Sequence, residues 1–531
     1  MSISSEITKL QNNLTKAYTS CQNKKATIPA KKNFDNLSTT IDSIPASEVG
    51  VPRKIISGRF CANNTTSWII PENVTILGDY SACYAFNQCG VLQSVNLENI
   101  QTIGMYALQY AFVSSGLKTV SMTSLKTLNE RGLLYTFNNC KYLKTVGDFE
   151  NLELIEWGGM DSCFYGSAIE TAPNFPKLKN IYYGGMQYTF AGCDSLTTAP
   201  RFDSLEKVNE NGFYRTFYYC DTGNLANADF VFPCTTLGLA AFNGCFYYAD
   251  LRSFVFPNLE ESMYNNMFYY FNYGNFDSLF KGQVAHPFPK LKKITGNNVF
   301  GYAFPNTKPY RFVFDALEEI CVENTGTTTF QYAFQNSIFQ NENGDYGGVY
   351  FPCLRQIGST STSTATCLKY ICSGATGEVT LDFPELTIVY NTLSSSTSGA
   401  MSYCGATKVY MPKVTNLGTY NKYNFYSATT ILELHFGIEN QVTIEAMNGF
   451  SSKFGATKAT IYFDLVNHIT VDGVVYDRYG ANYDYDNDYY SWINGETVIY
   501  TDKEYENAVG DNVFTKSDDV YTAIGTISGV A

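Results

Sequence analysis

The chain has 531 residues, a formal net charge of −13 and only 16% charged side chains, compared with about 25% in typical soluble proteins. The negative charge argues against binding to the phosphate backbone of nucleic acids. No stretch approaches the ~18 apolar residues of a membrane-spanning helix, and the first residues lack the apolar core of a secretory signal, so neither is expected.

The N-terminal region, residues 1–50, has a composition unlike the rest and predicts a helical anchor or oligomerisation segment. Ile3, Ile7, Leu10 and Leu14 follow one another at steps of four, three and four residues, which is the spacing of a coiled-coil seam. These four residues are therefore the candidate oligomerisation face. An ordinary amphipathic helix packed on its own chain explains the spacing equally well.

Residues 51–436 predict a repeat solenoid, because about thirteen copies of one motif of roughly 25 residues follow one another. Each copy opens with a Leu-x-x-Ile step, such as Leu152 and Ile155. Its middle holds an aromatic residue and a small residue three positions later, such as Phe137 and Cys140. A short strand-like run closes the copy, often at Phe-Pro, where proline suits a strand end.

The C-terminal region, residues 437–531, loses the repeat and predicts a cap or small β-rich domain. Residues 459–463 and 469–476 alternate as strands do, with Asp472-Gly473 as a hairpin turn signal. An atypical end unit is expected for a repeat array.

Cysteines recur at the same position of successive copies, which predicts buried free thiols rather than disulfides. The members of this set are Cys89, Cys140, Cys193, Cys220 and Cys245. A buried cysteine acts as a small apolar residue with a weak donor, and assembly in a reducing cytoplasm fits such a set.

Tyrosine doublets in successive copies give the best indication of a binding surface. On an extended chain, neighbouring side chains point in opposite directions, so one member packs and the other faces outward. The outward members would be Tyr183, Tyr219, Tyr248 and Tyr270. Exposed tyrosine suits recognition of protein or glycan, although the doublets also fit a broad aromatic core.

The sequence holds few candidates for chemistry. Asp484, Asp486 and Asp488 alternate in a manner that suits a hard cation such as calcium, but the spacing of an EF-hand is not met and a solvated loop is the simpler interpretation. Three histidines are present without a nucleophile motif or a nucleotide-binding fingerprint. No enzymatic activity and no cofactor are expected.

The repeats resemble the BspA-like leucine-rich repeat, most closely in YAFNQCGVLQSVNL (84–97) and YTFAGCDSLTTAPRF (188–202). The resemblance implies a solenoid in which each unit supplies a β-strand and a short helix or irregular return. It covers most of 51–436 and weakens from residue 307 onward, where Phe-x-x-Cys is lost.

The N-terminal segment 2–44 is similar in style to a leader of structural proteins from tailed phages. Together, the two resemblances imply a virion protein: a fibre, tail or decoration component, assembled in the host cytoplasm, that attaches to host surfaces. The expected partners are other virion proteins or a host surface protein or glycan, without nucleic acid or membrane. Self-association through the N-terminal helix is a further expectation. A microbial cell-surface adhesin or interaction scaffold is the alternative.

Overall fold

The computed structural model describes residues 11–19, 22, 66–220, 224–274, 278–320, 328–358, 366–389, 400–414, 425, 427–436, 460–463, 469–478, 489–502 and 507–530. The chain forms two compact units. Unit 1 holds residues 1–196 and 200–203, and unit 2 holds 197–199 and 204–531. Among the described residues, no helix has the length and apolar character needed to cross a membrane.

An α-helix covers residues 11–19 of the predicted N-terminal segment. Within it, Leu14 is half-buried. Ile3, Ile7 and Leu10 lie outside the described residues, so the predicted oligomerisation face stays a prediction.

Unit 1 is a stack of turns, most of which contribute two very short parallel strands. The strands are β1 (Ser67–Ile69), β2 (Ile76–Leu77), β3 (Ser94–Asn96), β4 (Thr102–Ile103), β5 (Thr119–Val120), β6 (Thr127–Leu128), β7 (Thr145–Val146), β8 (Leu154–Ile155) and β9 (Asn180–Ile181). The opening strands pair in the order β2-β4-β6-β8-β9, and the closing strands pair as β1-β3 and β5-β7.

Unit 2 continues the same pattern. Its repeat strands are β10 (Lys207–Val208), β11 (Asp229–Val231), β12 (Thr236–Leu237), β13 (Ser253–Val255), β14 (Glu261–Ser262), β15 (Val284–Ala285), β16 (Lys293–Ile294), β17 (Arg311–Val313), β18 (Glu319–Ile320), β19 (Gly348–Tyr350), β20 (Gln356–Ile357), β21 (Thr380–Asp382), β22 (Ile388–Val389), β23 (Lys408–Met411), β24 (Glu433–Phe436) and β25 (Thr460–Phe463). A 3-10 turn covers Asn224–Asn227.

The repeat strands of unit 2 form parallel sheets. Opening strands pair as β10-β12 and as β14-β16-β18-β20-β22, and closing strands pair as β11-β13 and as β15-β17-β19-β21-β23-β24-β25. Strand β25 pairs with β24, so this parallel sheet extends one strand past Phe436, the last residue of the repeats that the sequence indicates.

The repeat motif explains the core. The Leu and Ile of each opening step are buried, as are the phenylalanines of the middle segments and the closing strands. Equivalent phenylalanines stack from turn to turn, with centroids 5.4 Å apart for Phe112 and Phe137 and 5.5 Å apart for Phe137 and Phe164. Full burial of such side chains contributes about 1.5–3 kcal/mol each. The predicted repeat solenoid is confirmed, and its return is a run of turns in the described residues rather than a helix.

The last part of unit 2 is a small antiparallel sheet. Its strands are β26 (Ile469–Val471), β27 (Val474–Arg478), β28 (Tyr490–Asn494), β29 (Thr497–Thr501), β30 (Asn512–Ser517), β31 (Val520–Thr526) and β32 (Gly529–Val530), in the order β31-β30-β29-β28-β27-β26-β32. Asp472 and Gly473 join β26 to β27 with φ values of 49° and 83°, as a tight hairpin turn with two positive φ values requires. Trp492 lies in its core. The predicted β-rich C-terminal region is confirmed.

Candidate binding surface

The middle segment of each turn has a backbone that repeats every four residues. In one turn of unit 1, Tyr80, Tyr84 and Gln88 all have φ near 58°. The amide N–H of Tyr84 donates to the carbonyl of Gln109 in the next turn, 2.8 Å away, whereas that of Ala85 donates locally to the carbonyl of Ala82. Alternate amides therefore join neighbouring turns, and these bonds hold the left-handed positions in place.

Tyrosine occupies these left-handed positions again and again. Its φ values there lie between 51° and 59°, a region that costs an L-residue other than glycine about 1–2 kcal/mol. Asparagine tolerates the same conformation better, and it stands at Asn139, Asn298 and Asn336. The use of tyrosine where asparagine or glycine relieves strain points to a role for the side chain.

In unit 2 these and adjacent tyrosines contact one another in a continuous series, here called the tyrosine column. It consists of Tyr218, Tyr219, Tyr247, Tyr248, Tyr270, Tyr273, Tyr302, Tyr332, Tyr370 and Tyr403. Its closest stacked pairs have centroids 4.3 Å apart for Tyr332 and Tyr370, and 4.6 Å apart for Tyr370 and Tyr403. The planes of these pairs lie within 16° of parallel.

Stacking decides which part of each ring a partner can reach. Because the two faces of Tyr332 are covered by Tyr302 and Tyr370, its exposed part is the ring edge, which carries the hydroxyl. Burial, followed by neighbouring tyrosines, raises the pKa of Tyr302 and of Tyr370 above the ordinary phenol value. These phenols are therefore neutral at physiological pH and able to donate hydrogen bonds.

Two cationic side chains lie against the tyrosine column. The guanidinium carbon of Arg215 is 4.9 Å from the ring centroid of Tyr218, and the ammonium of Lys369 is 5.2 Å from that of Tyr370. Burial lowers the pKa of Lys369. Such cation–π contacts are worth about 0.5–1 kcal/mol at exposed sites, and they hold these cations against the rings of the column.

The predicted binding residues fall in both units. Tyr219 and Tyr248 stack at 4.9 Å, and Tyr270 belongs to the same column through Tyr273. Tyr183 lies in unit 1, where its ring meets Trp157 edge to face at 5.7 Å. The binding role of all four stays a prediction.

The extended-chain argument for the doublets is wrong. Tyr218 and Tyr219 lie in a turn, with Tyr219 at a φ of 55°, and their rings are only 4.4 Å apart on the same side. Both members therefore contribute to the surface. The single tyrosines were missed, although a Tyr-x-Phe signal marks Tyr302 and Tyr332, each two residues before a buried phenylalanine.

The small residue of the Phe-x-x-Cys motif has a structural function. The thiol of Cys140 donates to the carbonyl of Phe112 in the preceding turn at 3.1 Å, and Cys193 does the same to Phe164 at 3.1 Å. The hydroxyl of Ser167 occupies the equivalent place. Cys89, Cys140, Cys193, Cys220 and Cys245 are buried thiols outside any disulfide, as predicted.

No group of metal-ligating side chains occurs among the described residues. The predicted cation ligands Asp484, Asp486 and Asp488 lie outside that part of the chain. Of the histidines, His286 is paired with Asp315 at 2.7 Å, and His435 lies on β24 beside Tyr410.

A family model of the BspA type leucine rich repeat region matches residues 53–197, 109–245 and 160–278, in six copies. Its units coincide with turns that contain the Leu-x-x-Ile step, the middle segment and the closing strand. The repeats within residues 53–278 are BspA-type leucine-rich repeats. The match begins at residue 53, so the phage-like leader at 2–44 receives no support from it. No curated protein matches the chain significantly.

Two solved structures are similar to this chain. A leucine-rich repeat protein from Bacteroides ovatus shares 15% identity, covering 70% of this chain and 68% of its own, with a TM-score of 0.26. A leucine rich cell surface protein from Faecalibacterium prausnitzii shares 13% identity, covering 75% and 93%, also with a TM-score of 0.26. At these values neither structure bears on function.

Proposed function

We propose that the chain is a non-catalytic recognition protein of the microbial cell-surface adhesin or interaction-scaffold type. The tyrosine column of unit 2 is its docking surface. The observation that carries the proposal is the stacked series of tyrosines at left-handed backbone positions. Stacking is worth about 0.5–1.5 kcal/mol per pair, which roughly offsets the backbone strain of about 1–2 kcal/mol. The column therefore adds little net stability, and binding is the better account of it.

The partner of the column is a protein surface. Sugar rings pack on open aromatic faces, but the faces of Tyr332 and Tyr370 are covered by neighbouring rings. The hydroxyl edges instead offer a row of neutral donors and acceptors beside apolar carbon, and tyrosine is enriched in protein interfaces for this combination. Many weak contacts along one column raise the overall affinity when they form at the same time.

The BspA-type repeats favour a cell-surface setting over a virion, because no match supports the phage-like leader. The N-terminal helix at residues 11–19 would then join sister chains or a surface anchor. A virion protein would use the same column, but its binding would require particle proteins rather than microbial or host cells.

Adhesion to cells tests the proposal. Fluorescently labelled full-length protein is added to microbial and epithelial cells, before and after treatment of the cells with protease or with glycosidases. We expect a component of binding that protease removes, that glycosidases leave intact, and that the double change Tyr332→Asn and Tyr370→Asn abolishes.

Asparagine tolerates the left-handed backbone, so this variant keeps the turn. Tyr142→Asn is the matched control, since Tyr142 is 64% exposed and lies outside the column. Equal binding of the double variant and the wild-type protein contradicts a docking role of the column. Loss of this column-dependent binding after glycosidase treatment alone shows that the partner of the column is a glycan instead.

A further inference from the structure

A second polar surface lies on the closing-strand sheet of unit 2. The parallel register aligns Tyr350 with Asp382, Asp382 with Tyr410, and Tyr410 with His435 on the neighbouring strands β19, β21, β23 and β24. We call these four residues the Asp382 row. The residues before them on each strand, such as Leu381 and Val409, are buried in the core. Side chains alternate along a strand, so the row faces away from the core.

An arginine is held beside this row. Arg311 on β17 lies with its guanidinium carbon 4.8 Å from the ring centroid of Tyr310 and 4.9 Å from that of Tyr350. Its Nη2 donates to the hydroxyl of Tyr310 at 3.1 Å. Gly348 faces Arg311 in the register, and a Cβ there would collide with the carbonyl of Thr380. The absence of a side chain at Gly348 therefore lets the backbone of β21 approach closely beside Arg311.

Asp382 carries an unmet hydrogen-bonding requirement. Its Oδ1 is shielded from solvent, yet has no hydrogen-bond partner among the residues that the structure describes. Burial raises the pKa of Asp382, and the charge of Arg311 opposes that rise only in part. A buried carboxylate oxygen without a donor is costly and rare in native proteins, which indicates that a ligand supplies the donor.

The charged side chains around Asp382 favour an uncharged ligand. Arg311 and Lys408 repel a cation, whereas Asp382 and Glu433 repel an anion. Lys408 is already paired with Glu433 at 3.2 Å and with Glu378 at 3.8 Å. A ligand that donates hydrogen bonds to a carboxylate without bearing charge meets these conditions. Beside the carboxylate, Tyr410 is 38% exposed and offers apolar ring surface.

We propose that the Asp382 row is a binding site for a neutral saccharide. Asp382 accepts hydrogen bonds from sugar hydroxyls, Arg311 donates to a hydroxyl or ring oxygen, and Tyr410 packs against the apolar side of the sugar. The site lies on the strand sheet and is independent of the tyrosine column, so either proposal stands if the other fails.

Titration of full-length protein with defined polysaccharides tests the site. The probes are the neutral polymers mannan, dextran and soluble starch, with heparin and oligolysine as charged comparisons, followed by calorimetry. We expect binding of at least one neutral polymer and none of heparin or oligolysine at this site. Asp382→Asn and Tyr410→Ala are each expected to weaken that binding about tenfold or more. Tyr332→Asn, in the tyrosine column, is expected to leave it unchanged.

Thermal unfolding of the same variants separates a ligand site from a structural role. Asp382→Asn is expected to raise the melting temperature at pH 7 while it weakens binding, because the amide removes a poorly solvated charge. The proposal is overturned if no neutral polymer binds, if Asp382→Asn binds as wild type does, or if that change lowers the melting temperature. Binding of a charged probe that depends on Asp382 overturns the assigned ligand class.

Discussion

The rings of Tyr332 and Tyr370 lie face to face, with centroids 4.3 Å apart and planes 10° from parallel, although the residues belong to different turns. Both residues have a positive φ. Each tyrosine therefore combines a favourable ring contact with an unfavourable backbone conformation. Because the two energies nearly cancel, a substitution in the column can weaken the proposed binding while it changes the stability little.

Replacement of Tyr332 tests that balance. Tyr332→Asn loses two stacked contacts but relieves the left-handed strain, so we expect the free energy of unfolding to change by no more than about 1 kcal/mol. Tyr332→Val loses the same contacts and places a β-branched residue at positive φ, so it is expected to be clearly less stable than the asparagine variant. Urea unfolding followed by circular dichroism measures both. A large loss in Tyr332→Asn would assign the column a structural role.

Cys140 is expected to be unreactive in the folded protein. Burial raises the pKa of this thiol to about 11, and only the thiolate reacts with alkylating agents. At pH 8, iodoacetamide should leave Cys140 unmodified until urea unfolds the chain, whereas the half-buried Cys353 should react earlier. Peptide mass spectrometry reads both sites. Rapid native labelling of Cys140 would contradict its buried position.

Cys140→Ser provides a second check on the same position. Serine donates to the preceding turn at Ser167, so we expect Cys140→Ser to cost little stability. Cys140→Val removes the donor and leaves the Phe112 carbonyl with one bond fewer, and it should cost about 1 kcal/mol more. Equal stability of the two variants in urea would show that the donor is dispensable.

The stability of the protein is expected to depend on pH through Asp382. Burial raises the pKa of its carboxyl in the folded state, so folding favours the protonated form. The stability that protonation provides is fully present below the unfolded pKa, about 3.9, and is lost as pH rises through the folded pKa. Asp382→Asn should therefore be stabilising at pH 7 and neutral near pH 3. Melting curves at both pH values measure this, with Asp472→Asn as an exposed control.

Leu14 should matter for self-association if the N-terminal helix joins chains. We expect full-length protein to be an oligomer by light scattering and Leu14→Asp to be a monomer, because a charge in a coiled-coil seam is strongly unfavourable. Asn13→Asp adds the same charge at an exposed position of the helix and should leave the oligomer intact. A monomeric wild-type protein would contradict the predicted oligomerisation face.

The core of the repeats is readable from the sequence because each position repeats with the same chemistry. Leu152, Ile155 and Phe137 are all fully buried, as their places in the motif predict. The hairpin at Asp472-Gly473 is also predictable, since two adjacent residues that tolerate a positive φ determine the turn type without help from distant contacts. These features depend on local spacing or on identical contacts between neighbouring turns.

The two candidate surfaces were less accessible from sequence. Tyrosine is a poor local signal for a left-handed backbone, and hydrogen bonds to the next turn hold Tyr84 there. For this reason, the sequence predicted that the two tyrosines of a doublet face opposite sides, whereas in the structure both rings lie on one side. Asp382 and Tyr350 become neighbours only through the register of β19 and β21, and the unequal lengths of the intervening repeats hide that register.

The hydrogen bonds between turns run in opposite senses in the two parts of a repeat, which has a consequence for synthesis of the chain. Amides of the middle segment, such as that of Tyr84, donate to the following turn, whereas amides of the opening strand, such as that of Thr102, donate back to the preceding one. A turn that leaves the ribosome therefore completes its strand bonds at once and retains unpaired middle amides until its successor arrives. A chain that is truncated within the repeats ends in a row of unpaired backbone amides. These amides can pair with other chains, so we expect stalled or truncated products to aggregate or to be recognised by cellular quality control.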